Sequence, residues 1–178
     1  AQEVLGASAL VAGFALAALT LGWPVAAALS GRIYLPFGFR TTTLLGAVLV
    51  LVGTSLTLLL GVDSSIWEVA LFCLVIGFGM GLVASPSLVA AQTSVEWNER
   101  GVVTGANLFA RSIGSAVGVA AFGAIVNAAT GGGSSTPSAG DLADGVHIVF
   151  LTLTAVAAAI LLACAFMPKH VAEAASPR

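Results

Sequence analysis

The chain has 178 residues, 58% of them hydrophobic and 8% charged, with a mean hydropathy of +1.07 and a formal net charge of −2. Soluble domains are nearer ~25% charged, so six basic and eight acidic side chains are too few to cover a water-soluble body of this size. This excludes a soluble globular enzyme and a disordered tail, and the missing basic field excludes a nucleic-acid binder; a protein dissolved in a bilayer remains.

A membrane helix needs ~20 apolar residues to cross ~30 Å of hydrocarbon. Charge-free windows predict five spans, at about 4–30, 41–62, 66–92, 101–129 and 145–167, forming one bundle over 1–168. Residues 130–144, rich in Gly, Ser and Thr, are expected to be an external loop, and 169–178 a tail. The apolar runs are continuous and dominated by Ala and Leu. They lack the short alternating segments of a β-barrel, so helices are the solution that satisfies the backbone in lipid. The chain starts at Ala1 rather than Met, and the reading is that it is the C-terminal piece of a larger membrane protein.

The first span holds Trp23, read as a packing residue, and Pro24. Arg32 and Arg40 follow it. Arg100 lies between spans three and four, Arg111 just inside span four, and Lys169 and Arg178 after span five. Threading puts all six cations on one face, which the positive-inside rule makes cytoplasmic, together with the C-terminus. Asp63, Glu68, Asp141 and Asp144 fall on the opposite face. Tyr34 and Trp97 belong at the inner interface and Trp67 at the outer one.

Span three opens on Ser65 and Glu68 at capping-box spacing, which reads as a helix cap in preference to a proton-carrying carboxylate. Within it, Gly77, Gly79 and Gly81 form a smooth face, and Pro86 removes a backbone donor. Span four carries Gly101, Gly105, Gly114 and Gly118. Gly77, Gly81, Gly114 and Gly118 are expected to be helix-packing positions, because glycines a turn apart let another backbone approach closely. Arg111 lies ~15 Å along a helix that starts at Gly101. Two readings are open: a guanidinium near the midplane that lines a cavity, or one that snorkels to the inner interface. Asn107 would share its face, and Gln92 and Asn127 are further polar candidates for a lining.

His147, near the start of span five, reads as an interface residue rather than a proton relay, and Cys73 and Cys164 as small hydrophobes within spans. No metal-ligand spacing, phosphate loop or nucleophile–base arrangement occurs. The expectation is no enzyme, no metal and no cofactor.

The residues after span one, Gly31, Arg32, Gly38 and Arg40, resemble the cytoplasmic signature loop of the major facilitator superfamily, with Leu35 and Pro36 where the family has Asp and Arg. Residues 98–118 hold Arg100-Gly101, then Arg111, then Gly114 and Gly118. They are similar to the penultimate helix of the superfamily's fourteen-span drug:proton antiporters. Residues 2–13 resemble the outer start of a C-half helix of the same family. The resemblance implies an all-α integral membrane fold, with five transmembrane helices from a C-terminal six-helix bundle. It further implies the C-terminal part of a proton-coupled exporter of drugs or other hydrophobic small molecules, working by alternating access in the cell (plasma or inner) membrane. Its partners would be the lipid bilayer, the missing N-terminal helices of the same protein, a small hydrophobic substrate and protons. The rival readings are an uptake permease of the same superfamily and a non-transporting membrane scaffold or assembly subunit.

Overall fold

Backbone amides in hydrocarbon must find their partners within the protein. The computed structural model, which describes residues 9–60, 65–129 and 139–167, meets this demand with helices. Five long ones follow in order: α1 (Ala9–Phe37), α2 (Phe39–Thr57), α3 (Ile66–Thr93), α4 (Arg100–Ala129) and α5 (Ala139–Ala165). A 3-10 turn, Trp97–Glu99, leads into α4. Each of the five helices is long and apolar enough to cross a membrane, and no strand occurs among the described residues. The fold is therefore all-α, as the composition requires. Residues 1–8, 61–64, 130–138 and 168–178, and with them Asp63, Lys169, His170 and Arg178, lie outside the described residues.

Two helices extend past their apolar windows. α1 was expected to end near residue 30 and hand over to a signature loop, but it runs through Gly31 and Arg32 to Phe37. α5 begins at Ala139, so residues 139–144 of the expected loop are helical, with Asp141 and Asp144 among them. The reason is common to both: a charged residue ends the lipid-compatible window, while the helical hydrogen-bond ladder can continue into the polar interface.

The turn between α1 and α2 is a single residue. Gly38 closes the last turn of α1 by donating its N–H to the Tyr34 carbonyl at 2.9 Å. Its φ of 83° and ψ of 160° lie in a region open almost only to glycine. Its carbonyl then accepts from the Thr42 hydroxyl at 3.0 Å in the first turn of α2. Tyr34 and Phe39 stack across this corner with ring centroids 4.8 Å apart.

α3 is the centre of the bundle, clasped by α1 and α2. α1 runs parallel to it, with Gly22 against the backbone of Leu74 and Phe78, Gly77 against the Leu19 carbonyl, and Gly81 against Trp23 and Ala26. α2 runs antiparallel: Gly46 meets Gly79 and Leu82, and Gly53 meets Ile76. A methyl group at Gly46 would fall 2.7 Å from the Gly79 carbonyl oxygen, so side chains larger than hydrogen are excluded from this seam. The close approach supplies the van der Waals contact that holds helices together where lipid removes the hydrophobic drive. α5 packs on the other side of α2 and against α4.

Polar side chains inside this packing bond to their own helix. Thr42, Thr43, Thr54, Thr57 and Ser30 are buried, and each hydroxyl donates to a carbonyl three or four residues earlier, as Thr43 does to Phe39 at 2.8 Å. This back-bonding removes the cost of an unpaired hydroxyl in an apolar interior. The expected cap on α3 is present: Glu68 accepts from the Ser65 N–H at 3.0 Å, and the Ser65 hydroxyl accepts from the Trp67 N–H.

Candidate functional site

α4 is tied to α3 near its start by the Gln92–Thr104 hydrogen bond and packs on α5, with an open cleft between α4 and α1. The cleft has a volume of about 740 Å³ and is lined by Trp23 from α1 and by Leu108, Arg111, Ser112, Ser115, Ala116 and Val119 from α4. The α4 residues recur at spacings of three and four, so they form one helical stripe.

The Arg111 guanidinium carbon lies 4.8 Å from the centroid of the Trp23 ring. That distance is within cation–π range. Trp23 is held in place from behind, since its backbone carbonyl packs on Gly81 of α3 while its ring faces α4. Both residues lie far from helix ends: Trp23 is the fifteenth of 29 residues in α1, and Arg111 the twelfth of 30 in α4. α4 is unbroken through Arg111, with its crossing window running over Trp97–Ala128. Arg111 thus stands well inside its helix, beside an open cleft. Among the described residues no acid lines the cleft.

The other polar candidates do not join this pair. Gln92 donates through Nε2 to the Thr104 hydroxyl at 2.8 Å, and Thr104 donates to the Arg100 carbonyl. Gln92 is thus a tie between the end of α3 and the start of α4, two turns from Arg111. Asn107 sits one turn before Arg111 but is half-buried and is not part of the lining. Asn127 lies sixteen residues further along α4, near its opposite end.

Of the signature residues, Gly31 and Arg32 are within α1, and Gly38 forms the corner. Arg40 reaches across the bundle and donates through Nη2 to the Ala165 carbonyl at 2.7 Å. A cation on the final carbonyls of a helix is favoured by the helix dipole as well as by the hydrogen bond. At the same end Arg100 lies over the Trp97 ring at 4.8 Å.

The four expected packing glycines divide. Gly77 and Gly81 make the closest approaches in the bundle. Gly114 and Gly118 face open space, as do Gly101, Gly105 and Gly123. The expectation of close packing at Gly114 and Gly118 is therefore corrected within this chain, because neither α1 nor α3 reaches that part of α4. The Trp23 carbonyl packs on Gly81 of α3, and its ring meets Arg111 as well. A tryptophan at mid-span, far from the interfacial belts where this side chain is enriched, was the available signal for the second contact.

The family model of the Major Facilitator Superfamily matches residues 1–119. The chain belongs to the Major Facilitator Superfamily. It is 31% identical over 130 residues, 73% of its length, to the multidrug transporter protein MdtP of Bacillus subtilis (strain 168). It is 35% identical over 129 residues to the methylenomycin A resistance protein of Streptomyces coelicolor (strain ATCC BAA-471 / A3(2) / M145), covering 71% of this chain. The chain spans about a quarter of the length of each, 24% and 26% respectively. Its fold is that of the xylose transporter XylE from E. coli in its inward-open conformation, with a TM-score of 0.72 over 89% of this chain and 38% of that one, at 22% identity. This facilitator chain is thus a multi-pass membrane protein of a transporter family.

Proposed function

We propose that the chain is the C-terminal part of a proton-coupled secondary transporter that exports drugs or other hydrophobic small molecules by alternating access. The observation that carries this reading is the Arg111–Trp23 pair, midway along two helices that diverge around an open cleft. A charge at that depth is expensive unless it faces a cavity or a partner. Transport needs a site near the midplane between two helix bundles that rock about it. The names of the relatives above, a multidrug transporter and an antibiotic resistance protein, support export over uptake. The open glycine face of α4 supports a second bundle, supplied by other helices of the same protein, as the partner that closes the cleft. The cation-bearing end of the bundle, with Arg40 and Arg100, would be cytoplasmic, as would the C-terminus, in the cell membrane. The reaction is movement without bond chemistry, so the chain is read as no enzyme and as needing no cofactor.

The test is substitution of Arg111 by Ala and by Lys in a full-length protein carrying this segment. Resistance of cells to exported drugs should fall at least ~10-fold for Arg111→Ala, the loss expected for an interaction worth about 1.4 kcal/mol. Expression should be unchanged, and Arg111→Lys should fall between. Wild-type resistance in both variants would remove Arg111 from the transport path.

A further inference from the structure

We propose that the α1–α4 cleft selects for negative charge: it takes amphipathic small molecules that join a carboxylate to an aromatic or aliphatic body, and Arg111 sets that preference. This rests on the reading of the cleft as a substrate-lining surface and adds to it a substrate class.

The position of the guanidinium is the basis. A guanidinium carries five N–H donors, all in its own plane. The Arg111 guanidinium carbon sits over the Trp23 ring, 4.8 Å from its centroid. The ring takes none of these N–H donors as a conventional hydrogen bond, and a carboxylate can match two of them with parallel hydrogen bonds. Among the described residues no Asp or Glu lines the cleft to take them. One turn further along α4, Ser115 also lines the cleft and makes no back-bond to its helix. Ser112 differs, since its hydroxyl is committed to the Leu108 carbonyl at 3.0 Å. Arg111 and Ser115 therefore offer donors a turn apart on one stripe. Leu108, Ala116 and Val119 supply the apolar wall for the body of the ligand. The cleft, about 740 Å³ in volume, is open on the side away from α1 and α4.

The same arrangement disfavours the other two charge classes. A cationic ligand would seek the aromatic face of Trp23, but Arg111 already occupies it, and its charge repels the newcomer in a medium of low dielectric. A neutral ligand offers the guanidinium no charge to pair with. An anion alone gains a partner on entering. The Trp23 ring acts as a positioning residue, holding the guanidinium beside the cleft that both residues line.

The experiment uses three probes with one ring system: pyrenebutyrate, pyrenebutanol and pyrenebutylammonium. Binding to the purified full-length protein in lipid nanodiscs is followed by fluorescence. Wild type should bind the butyrate about 10-fold more tightly than the butanol, with the ammonium weakest. Arg111→Gln should bring butyrate and butanol to within about 2-fold of each other with both probes still bound and the butyrate losing the most affinity, an outcome that a general loss of structure would not give. Arg111→Lys should keep the order with a smaller gap. An unchanged ranking in Arg111→Gln, or an ammonium preference in wild type, overturns the proposal. So does butyrate binding that disappears in discs of phosphatidylglycerol, because the site would then belong to a lipid headgroup. Proton-driven movement of the three probes in vesicles separates the two levels. Transport of butanol without preference for butyrate defeats the charge assignment alone, whereas movement of no probe defeats the transport reading beneath it.

Discussion

α3 and α4 carry much the same glycine signal and meet opposite fates. In α3, Gly77, Gly79 and Gly81 are buried, and each lies against the backbone of a neighbouring helix. In α4, Gly101, Gly105, Gly114, Gly118 and Gly123 have nothing within 4 Å of where a side chain would begin, and none of the residues described from 100 to 128 is buried. Glycine spacing thus reports that a helix can be approached closely, not what approaches it. The chain spans about a quarter of the length of its relatives. A helix whose smooth face is open in that quarter is the one on which further helices can sit.

The sharpest test of the α3 side is Gly77→Leu. The new side chain would be driven into the Leu19 carbonyl of α1, which is backbone and cannot rotate away. Overpacking of a tight core costs ~1–3 kcal/mol and sometimes more, and here the upper end is expected. Thermal unfolding in detergent should show a large drop in melting temperature, or no folded protein at all. Wild-type stability would mean that α1 and α3 do not meet at this seam. A smaller effect is expected where the two regions join. Gln92→Leu removes the 2.8 Å bond from α3 to Thr104 of α4. Interhelical side-chain bonds in membranes average ~0.6 kcal/mol, so global stability should fall only slightly. Amide exchange in the first turns of α4 should rise while that of α3 stays fixed.

The helices themselves were legible in the sequence, since the five windows free of charge each fall within a helix or overlap one closely. The ends were not. Arg32 stopped the first window, but a charge reports where lipid stops; what stops α1 is the backbone at Gly38, with its φ of 83°. The capping box at Ser65 and Glu68 was readable because it is local, within four residues. The pairing of Arg111 with Trp23 spans 88 positions of sequence and depends on how α1 lies on the glycines of α3, so spacing along the chain could not supply it. Arg40 on the Ala165 carbonyl is the same kind of contact, 125 positions apart.

The smallest expected effect discriminates most between the two regions. Gly118→Leu places a large apolar side chain in open space on α4. In a bilayer holding this chain alone, its stability should change by no more than ~0.5 kcal/mol, as for substitutions that touch nothing. The same variant in the full-length protein should behave quite differently if other helices cover the stripe. A leucine there holds two backbones apart, and closure of the cleft should weaken with no loss of the fold of the bundle itself. Proteolytic nicking between the halves, followed by co-purification, would read this directly: the wild-type pieces should stay together and the Gly118→Leu pieces should separate. Equal co-purification would show that the α4 glycines face lipid in the whole protein too. A fall in stability of the isolated chain as large as that of Gly77→Leu would show that α4 has an internal partner at this stripe. In either case the contrast between the two glycine helices would be lost.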